Sequence, residues 1–434
     1  MLNVSQRMEH PARRSLNDEV HARPPDSLST PSDVIYLVRL QSRKGEDRRA
    51  TELLADLLQR FGQRLLDSDT NHYAARLDGL WIRWERHTEY SRFTLTRDAG
   101  DAPPFKRGEF GDVPEDWLSH MQEEVLVGTR AAIVDAKGEE PDINAISKQH
   151  FGGNVLIGSR IADDRALALT DLRIHDDGLS RILVINYGMG KAQAGRVMQR
   201  LLEIETYRML TLLALPVAQE LMPILDKDER ELTDIGEALL DSESHDEQEL
   251  LERLTRLSAK TQHRNLSSSY RFSAANAYYE IVLQRIHELR ERRIPGLQTF
   301  DEFTNRRLAP AVKTYRAVSK RQQSILEQMA RATKLLSTRI DVARQRQSQS
   351  LLESMNRRAK AQLRLQATVE GLSVAAVTYY VVGLVGILAE GVAGLGVAVD
   401  KTLVMGISIP VVAGVAFLGV RRLRRKISRE EENE

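Results

Sequence analysis

The chain has 434 residues, with 62 Lys and Arg against 61 Asp and Glu for a formal charge of +1, and no cysteine. So even a balance leaves no electrostatic footprint for nucleic acid, and without thiols there are no disulfides and no thiolate metal sites. Met1 to Asn17 is polar and holds no apolar run of signal-peptide length, so membrane insertion is expected to depend on segments further along.

Taken in chain order, residues 1–32 form an extended N-terminal segment. Asn17, Asp18, Glu19, His21 and Arg23 crowd together before Pro24 and Pro25, which stop any helix and impose an extended turn. One His and two carboxylates make at most half of a hydrolytic or metal site, and the other histidines form no ligand-spaced pair. The expectation is that Arg23 and the acids clamp this segment onto the body of the protein, with docking between subunits as the next reading.

Residues 33–190 read as a cytosolic mixed α/β domain, long enough to bury a core of its own. Val34 to Leu40 predicts a strand, Glu46 to Phe61 an amphipathic helix, and Leu80 to Trp84 and Arg92 to Thr96 further strands. Glu115 to Val127 predicts a helix, and Thr129 to Asp135 and Asn154 to Ile161 strands. Ala166 to Ile174 and Ser180 to Tyr187 predict a hairpin turning at Asp177-Gly178. Gly188-Met189-Gly190-Lys191 and Gly195 then form a glycine-rich strand-to-helix turn. It lacks both the Walker spacing and the dinucleotide spacing, so an ordinary turn is expected, with anion binding as the alternative.

From residue 191 on, the chain reads as helix, kinked or ended by Pro216. Within residues 191–305, Glu203, Glu205, Tyr207 and Arg208 lie within one and a half turns, so Glu205 and Arg208 can pair at i, i+3. Asp226 to Glu252 holds twelve acids against two bases. A solvated helical face or hinge is one reading. The other is a weak divalent-cation sensor, with Asp226, Asp228, Glu229, Asp246 and Glu249 as candidates.

Residues 306–370 contain no glycine and, after Pro310, no proline, predicting a stalk helix that continues into the first apolar span. Roughly 80 residues of helix would reach about 120 Å. Tyr315, Val318, Ile325, Met329, Ala332 and Leu336 form a seam that needs helical neighbours. The seam lapses over Arg344 to Ser350 and resumes at Leu351, Leu352, Met355 and Leu363.

The stretches 371–389 and 402–420 carry no charged residue and are each long enough to cross a bilayer. Arg357, Arg358, Lys360 and Arg364 before the first, and Arg421, Arg422, Arg424, Arg425 and Lys426 after the second, place both termini in the cytosol. Glycines, including Gly383, Gly386, Gly391, Gly394 and Gly396, allow close helix approach. Thr378, Tyr379 and Tyr380 in the first span serve either oligomer packing or a pore lining. Glu390 at the outer mouth would form an acidic ring in a symmetric assembly. A basic then acidic cytosolic tail covers 421–434.

Three runs carry a resemblance: Leu16-Asn17-Asp18-Glu19-Val20-His21-Ala22-Arg23-Pro24, Gln199 through Arg208, and Met355-Asn356-Arg357-Arg358 with Glu370-Gly371-Leu372-Ser373. Together they resemble the bacterial membrane-anchored family catalogued as domain of unknown function 3422, over nearly the whole chain. That resemblance implies topology and brings no established activity. In architecture alone the chain is also similar to CorA-type divalent-cation channels. Those place Gly-Met-Asn directly after the first span, where this sequence has Glu390-Gly391-Val392-Ala393-Gly394.

The expected fold class is therefore α+β: an N-terminal mixed α/β head, a long helical stalk and a C-terminal two-helix transmembrane hairpin. The expected object is a homo-oligomeric protein of the bacterial inner membrane, without cofactor and without catalysis, since no nucleophile elbow or metalloprotease helix is visible. Its expected partners are the lipid bilayer, other copies of itself and a divalent cation. Two functions follow: a CorA-like cation channel or transporter, or a membrane-tethered scaffold or sensor that binds a protein partner through its head.

Overall fold

The computed structural model describes residues 10, 12–14, 17, 26–41, 48–64, 71–100, 102–105, 113–122, 125–138, 140–240, 246–394 and 400–431. The chain divides into two compact units, Met1–Thr333 and Lys334–Glu434.

The first unit is built on one eight-stranded sheet. Its strands are β1 (Ser32–Leu40), β2 (His72–Leu77), β3 (Leu80–Arg86), β4 (Tyr90–Asp98), β5 (Val125–Asp135), β6 (Ile157–Ile161), β7 (Ala166–Thr170) and β8 (Ser180–Asn186). They lie in the order β2-β3-β4-β1-β5-β8-β7-β6, antiparallel throughout except for the parallel β5–β8 pair. Alternate residues of a strand point to opposite faces, and β1 shows both faces buried. Ile35 and Leu37 join the cluster under helices α1 (Arg48–Arg60) and α2 (Glu115–Gln122), against Leu54, Leu57 and Trp117. Val34, Tyr36 and Val38 point the other way, onto Met198, Leu201 and Leu202 of helix α4 (Lys191–Leu212). Helix α3 (Ile143–His150) is followed by Phe151, which packs with Leu167, Leu169 and Leu183 in a third cluster.

The helices after the sheet share its core. α5 (Ala214–Leu240), α6 (Glu247–Leu289) and the start of α8 (Ala309–Gly394) contribute Leu225, Leu254, Phe272, Val282, Val312, Tyr315, Ile325 and Met329 to the cluster that holds Tyr36. The stalk seam thus finds neighbours here, and the rings of Phe272 and Tyr315 stack with centroids 6.0 Å apart. Pro216 falls in the first turn of α5, after the end of α4, where an amide hydrogen has no helical partner to lose.

Several expectations give way. The helix read over Glu115 to Val127 stops at Gln122, because Val125 and Val127 pair with β1 as the start of β5. Strand β2 and helix α3 were not expected. The hairpin β2–β3 turns on Asp78 (φ 44°) and Gly79 (φ 90°), the positive angles that an Asp-Gly turn supplies. Helix also does not run unbroken through 191–305. Residues 290–299, with Pro295 and Gly296, leave α6 through left-handed Arg290 and run along β6, which bridges Arg292 and Gln298. That segment covers the β6 edge of the sheet, and leads to the short α7 (Phe300–Phe303) and a π-turn at Thr304–Leu308.

The second unit holds the remainder of α8 and helix α9 (Lys401–Glu431). Leu351, Leu352, Met355 and Leu363, where the seam was expected to resume, are each more than half exposed. The two helices form an antiparallel hairpin whose register is fixed at two points. Glu390 accepts from Lys401 Nζ at 2.7 Å, and a Cβ built on Gly386 would stand 2.7 Å from Met405 Sδ. Of the other glycines expected to permit close approach, Gly383 and Gly391 have open space around them, Gly394 is the last residue of α8, and Gly396 lies outside the described residues.

Candidate functional site

On the face of the sheet that meets α4, Arg83, Glu85 and Arg92 alternate with Ile82, Trp84 and Phe93, which enter the opposite cluster. The β3–β4 register sets Glu85 directly opposite Arg92. From this pair a chain of charges crosses from the sheet to the helices. Asp26 meets Arg83 at 3.2 Å and Arg83 meets Glu85 at 2.9 Å, Glu85 binds Arg92, and Arg92 reaches Glu203 at 3.6 Å. Glu203 takes Arg285 of α6 at 2.6 Å, Arg285 meets Glu288 at 3.0 Å, and Glu288 meets Arg200 at 2.9 Å. Among the described residues of this network four arginines face four carboxylates.

Burial pushes the Glu85 carboxyl up, but Arg92 and Arg83 outweigh it and hold the group below its ordinary value. Burial likewise opposes the charge of Arg92, and Tyr36 with Glu85 more than restores it. Tyr36 is raised by burial and shares a hydrogen bond of 2.8 Å with Thr206 Oγ1. Beside it, the hydroxyl of Tyr90 donates to that of Tyr207 at 3.2 Å, and Tyr207 stacks on Tyr278 with centroids 5.6 Å apart. Tyr278 and Arg271 both donate to Glu89, Arg271 at 2.7 Å.

The hollow among Tyr36, Arg83, Arg92, Met198 and Gln199 measures about 50 Å³. Sites for drug-sized ligands run to roughly 300–1,000 Å³, whereas one water needs only about 10–15 Å³ of such space. The arrangement ties sheet to helices and has room for water, not for a metabolite. A wider, open hollow of about 740 Å³ lies along 293–306, between Arg293, Gln298, Asp301, Glu302 and Arg306.

The sequence model of a family described as a protein of unknown function (DUF3422) matches residues 8–427. The chain belongs to this family. No curated protein matches it. The DUF3422 match takes in both the charged network and the helical hairpin, so head and hairpin belong to one family unit.

The DUF3422 residues singled out from the sequence fall in different places. Glu203, Glu205, Tyr207 and Arg208 all lie in or beside the network, and Arg208 Nε donates to Glu205 at 3.0 Å. In the acidic stretch, Arg321 binds Asp226 at 2.7 Å and donates through Nε to Glu229 at 2.7 Å. Asp228 is buried and accepts from Thr261 at 2.7 Å and from Arg264. Asp246 caps α6 by accepting from Gln248 N at 2.9 Å, and Glu249 lies exposed in that helix's first turn. Among the described residues no three His, Asp or Glu side chains are grouped to hold a metal.

Asn17 is exposed, while Glu19, His21, Arg23 and Pro24 lie outside the described residues. In the glycine-rich turn, Asn186 Oδ1 accepts from Gly188 N at 3.1 Å and Met189 N at 2.7 Å. Gly195 is required by close approach: a Cβ there would stand 1.7 Å from the carbonyl oxygen of Asp26. Thr378 Oγ1 donates to Val374 O at 2.7 Å within its own helix, and Tyr379 and Tyr380 are 77% and 72% exposed, edge to face. Glu85, Arg92, Arg285 and Glu89 escaped the sequence reading. The alternation of Arg83 and Glu85 with Ile82 and Trp84 was the available signal, since it marks a strand with charges on a buried face.

Among the described residues, three helical stretches are long and apolar enough to cross a membrane: Lys191–Leu240, Phe300–Val392 and Lys401–Arg422. In the first of them Leu201, Leu202, Ile204 and Leu210 are buried in the head's core. In the other two, Ile387, Leu388, Ile407, Val415 and Phe417 are each more than half exposed.

Proposed function

We propose that this DUF3422 protein is a membrane-tethered scaffold or sensor, homo-oligomeric and without catalysis, whose head binds a protein partner. The hairpin anchors it in the bacterial inner membrane with both termini in the cytosol. The observation that carries the reading is the hairpin itself. Two uncharged stretches lie side by side in register with large apolar side chains turned outward, a surface that water disfavours and lipid accepts. The charge network supports a binding role over an enzymatic one, because its described ionisable groups pair with one another around a hollow of about 50 Å³. Alkaline carbonate extraction of cell membranes tests the anchor: the full chain stays in the pellet if it spans the bilayer. Cross-linking of the full chain in cells then tests for a partner held through the head.

The second reading, a CorA-like cation channel, draws support from Tyr379 and Tyr380, whose exposed hydroxyls in an apolar span suit a water-lined path between copies. The ion pair of Glu390 with Lys401 weighs against it by neutralising the proposed acidic mouth, as do Arg321 and Arg264 on the proposed sensor. Cation uptake into vesicles holding the full chain separates the two readings. A flux that falls in Glu390→Gln supports the channel, and no flux supports the scaffold.

A further inference from the structure

The hairpin register has a second result. The contacts of Glu390 with Lys401 and of Gly386 with Met405 set Val420 level with Gly371, so both uncharged stretches end at one height. Beyond that height α9 places Arg421 and Arg422 at once, whereas α8 passes Glu370 first, reaches Arg364 about 10 Å further on, and reaches Lys360, Arg358 and Arg357 about 16–21 Å further on at 1.5 Å per residue. All six side chains are exposed, and none has an ion pair or hydrogen bond with a described residue. Even Glu353, one helical turn before Arg357, leaves it unpaired. In the head, Arg83, Arg92, Arg208, Arg264, Arg285 and Arg321 each hold a carboxylate, while exposed Arg196 and Arg256 and half-buried Arg253 have no described partner. The sequence adds Arg424, Arg425 and Lys426 on the same helix.

We infer that this end of the hairpin is a binding surface for anionic phospholipid, with the basic side chains of both helices holding headgroup phosphates. The inference rests on the reading of the hairpin as a bilayer anchor. In that setting Arg421 and Arg422 stand at the level of the lipid phosphates, with Arg364 about 10 Å beyond it, and the remaining cations continue away from the bilayer. Basic residues gathered beside a membrane-spanning helix attract anionic lipid, and the attraction weakens with salt. Arg364 on one helix and Arg421 and Arg422 on the other let more than one charge act on the same anionic surface. A protein partner would equally meet cations, but only lipid is held at this height by the anchor itself.

The test places the full chain in phosphatidylcholine vesicles carrying a trace of spin-labelled phosphatidylglycerol or spin-labelled phosphatidylcholine, and compares the two association constants by electron spin resonance. A preference of about fivefold for phosphatidylglycerol is expected, the worth of one basic residue near an anionic headgroup. It should fall to near unity when Arg364, Arg421 and Arg422 are all changed to Gln, and persist when the three arginines become Lys. Protease access to the head reports orientation. If the Gln variant inverts, Arg421→Gln with Arg422→Gln replaces it, and a reduced preference is again expected.

Equal association of the two lipids with the parent chain overturns the inference. So does a preference untouched by the Gln variants, or one abolished by millimolar inorganic phosphate, which would make the ligand a soluble anion. A chain that never enters the vesicles overturns the anchoring reading itself, whereas an inserted chain without preference overturns the lipid site alone.

Discussion

Glu85 and Arg92 face each other across the β3–β4 pair, both almost wholly buried, and each also touches a second partner of opposite charge. Removing one member of such a pair strands the other in a medium that cannot solvate it, at a cost of about 3–5 kcal/mol. Arg92→Met should therefore lower the urea midpoint of the head strongly, followed by the fluorescence of buried Trp84 and Trp117. Arg92→Met combined with Glu85→Met should be milder than the single change, because one stranded carboxylate is gone. A double variant as unstable as the sum of the singles would mean that the pair contributes no coupling.

The pH dependence has a definite sign. The folded state holds the Glu85 carboxyl below its ordinary value, so the pair contributes stability above the usual carboxylate range, near pH 4, and loses it as the pH falls through the lower folded value. Melting temperatures of the parent should decline over that acidic window, and Glu85→Gln should flatten that part of the curve. His150 acts through the same rule with a different group. Burial favours its neutral ring, so its contribution is present above about pH 6.5 and is lost on acidification.

Gly195→Ala should loosen the strap at 26–28, since the new methyl group would meet the Asp26 carbonyl at 1.7 Å. The bond from Leu28 N to Lys191 O, now 3.0 Å, and the Asp26–Arg83 pair would go with it. A loss of about 1–3 kcal/mol is expected for such overpacking, with faster proteolysis near the N-terminus. Gly236→Ala, in the interior of α5 where nothing lies within 4 Å, is the control and should not destabilise.

In the hairpin, Gly386→Leu should push α8 off Met405, whereas Gly383→Leu points into open space. The chain has no cysteine, so Glu390→Cys with Lys401→Cys gives a disulfide reporter without background. Oxidation should cross-link the parent and the Gly383→Leu chain readily, and the Gly386→Leu chain poorly. Equal cross-linking in all three would show that the close approach at Gly386 does not set the register.

Much of the architecture was legible because it lies in local periodicity. β1 declares itself through Val34 to Val38, and α8 through the long absence of glycine and proline. β2 did not, because His72 to Leu77 is an exposed edge strand of mixed polarity, and only Asp78-Gly79 marked its turn. The i, i+3 reach of Glu205 to Arg208 is likewise a local property of helix. The network around Glu203 was out of reach, since its partners Arg92 and Arg285 are distant in sequence and meet only once the sheet and α6 have packed on α4. The acidic stretch shows the same limit. Twelve acids within residues 226–252 suggested a cation site, yet which of them are neutralised depends on Arg264 and Arg321, supplied by other helices.

The level ends of the two apolar stretches also govern how the anchor meets membranes of different thickness. Nineteen residues of helix span about 28 Å. Because Gly371 and Val420 stand at one height, neither helix can lengthen the pair by sliding past the other without breaking the contacts at Met405 and Lys401. In a bilayer thicker than that span both helices run short together, so the lipid must thin around them. In a thinner one the pair must tilt as a unit. A staggered hairpin would spread that mismatch; this one concentrates it, which favours membranes close to its own length.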